Sequence, residues 1–192
     1  MKEALILFVK KPVEGKVKTR LGATIGHKDA VAIYYKLLTK VEQIITPLKQ
    51  EVFVYSDEYF EGFFGSYKWF LQEGADLGEK MYQAFEEVFA LGFEKVSIIG
   101  SDCFELTTKI IEESFCKSTS TVLGPSYDGG YYLLGLTQND QEIFKTINWS
   151  TEKVRSQTIK QLELLSFSYT LLPVLTDIDD ESDLELFPEL LR

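Results

Sequence analysis

The sequence predicts an α/β fold with a mostly parallel, mixed sheet and helices on both faces, and three observations carry that expectation. Residues 4–9 (ALILFV) and Lys95–Ile99 (KVSII) are apolar runs of strand length, as expected of strands buried on both faces. Between them, apolar residues recur twice at helical spacing, and strand and helix signals keep alternating to the end of the chain. No internal repeat and no Pro/Gly/Ser-rich linker divides the 192 residues, so 1–192 is expected to be a single domain.

Residues 4–9 form the first expected strand, and a loop rich in Lys, Pro and Gly follows. Ala30, Tyr34, Leu37, Val41 and Ile44 share one helical face, and Pro47 ends that helix. Residues 51–55 and Lys68–Leu71 are short strands. Leu77, Met81, Ala84, Phe85 and Val88 give a second amphipathic helix, closed by Gly92. After Lys95–Ile99 a helix is expected from about 107 to 117. Strands at 121–123 and 131–134 flank a Gly-rich turn. Ser150 or Thr151 can cap a helix bearing Val154, Ile159, Leu162 and Leu165. A strand at 169–175 and an acidic segment lead to a short helix near 184–191.

Composition narrows the function. With 20 Lys+Arg against 30 Asp+Glu the formal net charge is −10, while 45% of residues are apolar and 26% charged. That is the make-up of a folded globular chain, not a disordered one. So acidic a chain lacks the broad basic face of a nucleic-acid or anionic-membrane binder. No run approaches the ~18–20 apolar residues of a membrane span, and residues 4–9 are too short for a secretory core. Cys103 and Cys116 form no CxxC pair, so a reduced, cytoplasmic setting is expected. The single histidine, His27, precludes a site built on two histidines and argues against a Ser-His-Asp hydrolase.

Four constellations can carry chemistry. The loop from Lys10 to Arg20 sets Lys10, Lys11, Lys16, Lys18 and Arg20 against one acid, Glu14. It follows the first buried strand, at the edge where open α/β sheets bind ligands. Gly15 allows close backbone approach, and Arg20 can grip a phosphate with two hydrogen bonds. Neither a P-loop nor a GxGxxG pattern is present. Asp102, just past the strand 95–99, is either a turn cap or a hard oxygen ligand for a cation on phosphate. In Gly124-Pro125-Ser126-Tyr127-Asp128-Gly129-Gly130-Tyr131-Tyr132, the glycines suit a tight turn, and the run offers a carboxylate with two tyrosine platforms. The acid run from Asp177 to Asp183 is either a solvated helix start or the source of a second carboxylate near Asp102.

These residues resemble a bacterial family of uncharacterised, glycosyltransferase-like proteins. The matching stretches are Phe8-Val9-Lys10-Lys11-Pro12 with Gly15 and Val17-Lys18-Thr19-Arg20-Leu21, Asp76-Leu77-Gly78 with Met81, and Gly100-Ser101-Asp102-Cys103. The long Asp128-Gly129-Gly130-Tyr131-Tyr132-Leu133-Leu134-Gly135 run, Trp149-Ser150-Thr151 and Asp177-Ile178-Asp179 complete the pattern. Phe104 stands where proline is expected after the cysteine.

The resemblance implies the nucleotide-diphospho-sugar transferase (GT-A, Rossmann-like) fold, near the molybdenum-cofactor and phospholactate guanylyltransferases. It implies a nucleotide site at the carboxyl edge of the sheet and a Mg²⁺ or Mn²⁺ ion on Asp102, with Asp179 as its partner by analogy with sugar nucleotidyltransferases. Lys11, Gly15, Lys18 and Arg20 would then face the phosphates. Asp76 and Gly78 would close over the nucleotide, unless Asp76 is only a helix cap. Asp128 is the candidate base for an acceptor hydroxyl, with Gly129, Gly130, Tyr131, Trp149 and Ser150 on the acceptor side. Trp149 could equally be packed beneath a cap.

The expected activity is metal-dependent glycosyl transfer from a nucleotide-diphospho-sugar. The alternatives are nucleotidyl transfer from an NTP to a small phosphorylated or carboxylated acceptor, and nucleotide binding without turnover. The expected partners are these small molecules, without nucleic acid, and a homodimer is left open.

Overall fold

The computed structural model describes residues 2–191, which form one seven-stranded mixed sheet covered by helices on both faces. At its centre β1 (Glu3–Val9) lies parallel to β2 (Glu51–Ser56) on one side and to β4 (Lys95–Ile99) on the other. The edge strand β3 (Lys68–Leu71) runs parallel to β2. Beyond β4, β6 (Tyr131–Leu136) is antiparallel both to β4 and to β5 (Thr121–Pro125), and β7 (Tyr169–Leu171) runs parallel to β5 at the far edge. The order is therefore β3-β2-β1-β4-β6-β5-β7.

Two-residue alternation along β1 builds the two layers. Leu5 and Leu7 face a core shared with α1 (Thr19–Ile25), α2 (His27–Ile45), α4 (Thr108–Cys116) and α6 (Glu181–Glu185). Ala4 and Ile6 face the other core, with α3 (Leu77–Ala90) and α5 (Val154–Leu164). Ala4 to Leu7 are completely buried, which explains why β1 reads as an unbroken apolar run rather than an alternating one.

The structure departs from the expectation in four places. The basic loop ends early, because Thr19 opens the short helix α1. The last strand is cut to three residues. Pro173 cannot donate to a ladder, and the backbone beyond it makes only the isolated bridges Ser126–Leu175 and Cys103–Asp177. Neither Ser150 nor Thr151 is the helix cap. Ser150 turns the chain with φ 62°, and α5 starts at Val154. The expected final helix is split into α6 and a 3₁₀ turn at Pro188–Leu191, with Pro188 at the break.

Candidate functional site

The chain leaves β1 toward β2 on one side, and β4 enters on the other. Loops after β1 and β4 therefore diverge at a crevice on the carboxyl edge, the topological position where such sheets hold ligands. Tyr34 of α2 ties these loops together from below. Its buried hydroxyl accepts from the Lys10 amide at 2.9 Å, donates to the Lys10 carbonyl at 3.2 Å, and accepts from Ser101 Oγ at 3.3 Å. Burial, reinforced by the nearby Asp102 carboxylate, pushes the Tyr34 hydroxyl well above its ordinary pKa and keeps it neutral.

The segment past β7 brings distant residues to this crevice. The Leu175 amide donates to the Pro125 carbonyl and the Tyr127 amide to the Leu175 carbonyl, each at 3.1 Å. The Ile178 amide then donates to the Asp102 carbonyl at 3.0 Å. Backbone pairing thus sets the turns bearing Asp102 and Asp128 beside Asp177 and Asp179.

Lys18 enters this acidic cluster from beneath. Its Nζ lies 2.7 Å from Asp102 Oδ1, 2.7 Å from the Ile178 carbonyl and 3.4 Å from Asp179 Oδ1. The Lys18 side chain is only 4% exposed, while those of Asp102 and Asp179 are 43% and 37% exposed. Burial alone would lower the Lys18 pKa, but the Asp102 and Asp179 carboxylates outweigh it and hold the group above its ordinary value. Arg20, at the start of α1, reaches Asp179 Oδ2 at 3.7 Å and is 72% exposed.

The group most altered by the site is Asp177. Burial, and then the negative charges of Asp102 and Asp128, push its carboxyl up to about 8. Burial and the Asp102 charge also raise Asp179, against the opposing pull of Lys18.

Other expected site residues divide by location. Lys11 points away from the acids, its amide donating to Asp57 Oδ1 at 2.8 Å and its ammonium pairing with Glu58 at 3.0 Å. Gly15 sits in an exposed turn with φ 74°. Asp76 is the cap of α3, accepting from the Glu79 amide at 2.9 Å. Gly78 carries the Trp149 indole directly on its backbone, since a Cβ there would lie 2.6 Å from the ring. That contact joins two motifs 71 positions apart, and Trp149 packs partly into the core beside α3.

Asp128 shapes its own turn, with Oδ1 accepting from Ser126 Oγ at 2.5 Å and from the Gly130 amide at 2.9 Å. Gly129 adopts φ 91° against the Glu152 backbone, where a side chain would collide. The paired tyrosines correct an expectation. The Tyr131 hydroxyl is buried away from the crevice, and Tyr132 is core, donating to the Pro173 carbonyl at 2.9 Å. The Tyr132 ring is packed in the core, and the Tyr131 ring is half-buried against the layer of α3 and α5. The exposed aromatic of that loop is Tyr127, 74% exposed beside Asp128. Ser150 is exposed in the turn that follows Trp149.

Among the described residues, no group of three or more His, Cys, Asp or Glu side chains is arranged to hold a metal ion. None of the helices formed by the described residues is long and apolar enough to cross a membrane.

Residues 47–151, more than half of the chain, match a family described as uncharacterized proteins conserved in bacteria (DUF2064). The chain belongs to this family. The matched stretch holds Asp76, Gly78, Asp102, Asp128 and Trp149, while Lys18, Arg20 and Asp179 lie outside it.

A crystal structure from Desulfovibrio desulfuricans G20, assigned as a nucleotide-diphospho-sugar transferase, superposes with a TM-score of 0.88 at 26% identity. That match covers 97% of this chain and 86% of the other. A CMP:2-keto-3-deoxy-manno-octonic acid synthetase complexed with CTP matches at TM-score 0.61 and 9% identity, covering 100% and 98% of the two chains. An inositol-1-phosphate CTP transferase from T. maritima matches at 0.59 and 12%, covering 100% and 95%. The last two likenesses are of fold alone. No curated protein matches the chain significantly. The fold is that of the nucleotide-diphospho-sugar transferases, as the motifs implied.

Two residues of the crevice are not among the expected site residues. Asp177 sits in an acid run that reads as a solvated helix start, and nothing local distinguishes it from Asp180, which does cap α6. Tyr127 is hidden inside a motif whose later tyrosines draw the eye. Its exposure follows from the turn geometry that Asp128 and Gly129 impose.

Proposed function

We propose that the protein is a transferase that binds a nucleotide-diphospho-sugar at the β1/β4 crevice and passes the sugar to an acceptor hydroxyl. The observation that carries this reading is the convergence of Asp102 and Asp179 on one cationic centre, bordered by the exposed Arg20. A second support is the D. desulfuricans likeness, which runs through nearly the whole chain.

The residues fit a divalent cation. Asp102 and Asp179 are hard carboxylates, both part-exposed, and they already converge on one positive charge. They are the residues that would hold Mg²⁺ or Mn²⁺, and the bound ion would neutralise charge building on the departing diphosphate. Arg20 is free to swing from Asp179 onto phosphate oxygens, where a planar two-pronged donor fits well. Asp76 and Gly78 start α3 beside Trp149 and form one wall. Asp128 stands exposed next to the cluster and is the group that would accept the acceptor hydroxyl's proton. Its turn is fixed by its own hydrogen bonds, so the carboxylate is positioned before any ligand arrives.

A second reading, nucleotidyl transfer from an NTP, is favoured by the basic loop. With Lys11 paired to Glu58 and Lys18 to Asp102, the loop still presents Lys16 and Arg20 in exposed positions, where a longer phosphate chain would engage both. A thermal-shift screen of nucleotide-sugars and NTPs, with and without Mn²⁺, tests the shared core of both readings. Stabilisation is expected only with ion and nucleotide together, and Asp102→Asn should abolish it in protein whose circular dichroism is unchanged. Product analysis separates the two: free nucleoside diphosphate marks sugar transfer, and pyrophosphate marks nucleotidyl transfer. Absence of stabilisation by any nucleotide would remove both.

A further inference from the structure

Resting on that proposed cation site, we propose that Lys18 is a built-in counter-ion that holds the divalent ion's place between Asp102 and Asp179, and that it moves onto the donor phosphates when the ion enters.

An ammonium has three protons, and Lys18 Nζ faces three oxygens, on Asp102, Asp179 and the Ile178 carbonyl. These are hard oxygen donors, the kind a small divalent cation takes. An ammonium and a divalent ion cannot share one such centre, because their like charges repel at contact distance. Lys18 approaches from the protein side, with its side chain buried, while both carboxylates keep a face toward solvent. An ion can therefore reach the acids from outside and drive the ammonium off.

The movement is carried by the side chain, from a backbone that stays in place. Lys18 precedes α1 with φ 47° and ψ 45°, a left-handed conformation that costs a residue with a side chain about 1 kcal/mol. Its four-carbon stem is flexible, so the charge can swing without unwinding α1. The same loop carries Lys16 and Arg20 in exposed positions, so an expelled Lys18 joins a basic rim rather than bare solvent.

Ion and nucleotide then bind cooperatively. The ion displaces the ammonium, the phosphates receive it, and each ligand raises the other's affinity by the same factor. A protein built this way binds divalent ions weakly until the nucleotide is present.

The test is a Mn²⁺ titration without nucleotide, read by electron paramagnetic resonance, on the wild type, Lys18→Met and the double variant Lys18→Met/Asp102→Asn. Lys18→Met should bind Mn²⁺ at least tenfold more tightly than the wild type, and Asp102→Asn in that background should erase the gain. If Lys18→Met binds no more tightly than the wild type, the counter-ion role is overturned. Single Asp102→Asn then tells two failures apart. Wild-type binding that it abolishes leaves the cation site standing without the counter-ion role; binding by none of the proteins overturns the counter-ion role, and if binding is still absent with nucleotide added, the cation site falls with it.

Should Lys18→Met not fold, acetylation of the wild type by an amine reagent, read by mass spectrometry, decides the matter. Lys18 should be protected without added metal and label several-fold faster at high Mn²⁺. An unchanged labelling rate would overturn the proposal.

Discussion

Asp177 loses more water than the other acids of the cluster and gains three negative neighbours, Asp102, Asp128 and Asp179. Its carboxyl is held up to about 8, above its value in an unfolded chain. The folded state thus prefers the protonated acid. The stability this gives is complete below about pH 4 and fades as pH rises toward 8. In EDTA at pH 8.5, Asp177→Asn should therefore be more stable than the wild type by about 1–2 kcal/mol, with the gap closing near pH 4. Urea melts at the two pH values measure it, and a variant equally destabilised at both would show that the carboxylate is a needed hydrogen-bond acceptor instead. Arg20→Ala removes an exposed side chain, so melting should be unchanged while nucleotide affinity falls by about 1.5–3 kcal/mol in calorimetry. The strand-end position of Asp102 and the cations of the basic loop were readable in the sequence. That Lys18 points inward and Lys11 outward was not, since that depends on Asp102 and Asp179 in one case and Glu58 in the other.

The longer amphipathic helices and the strands β1 and β4 could be read from periodicity, because each presents enough residues to define a face. Helix α1 could not: seven residues with a central Gly22 give less than two full turns of pattern. Nor could the extended segment after β7, whose contacts are isolated bridges fixed by the sheet around it. The link between α3 and the turn before α5 is of the same kind. Trp149 lies across Gly78, so the wall expected to hold nucleotide and the turn expected to hold acceptor move together. Trp149→Ala should lower stability by about 1–3 kcal/mol, less than for a fully buried tryptophan, and weaken nucleotide binding along with acceptor binding. Denaturant melts and the two KM values check this. An effect confined to the acceptor KM would mean that the indole contacts substrate rather than bracing α3.

Across the whole molecule, a chain with net charge −10 brings its basic loop and a four-acid cluster to the same sheet edge. Periodicity and composition were enough for the fold class, because the two cores follow from alternation along a few buried strands. The site is a product of topology: Lys18, Asp102, Asp128 and Asp179 meet only because the switch between β1 and β4 and the return of the chain past β7 place them together. An anionic nucleotide can settle against so acidic a crevice only if positive charge bridges them. The most direct measurement is diffraction from crystals grown with Mn²⁺ and a bound nucleotide, using the anomalous signal of manganese. The ion is expected within about 2.0–2.6 Å of oxygens from both Asp102 and Asp179, shared with the nucleotide's phosphates. An ion more than about 4 Å from both carboxylates, too far for direct coordination, would contradict it.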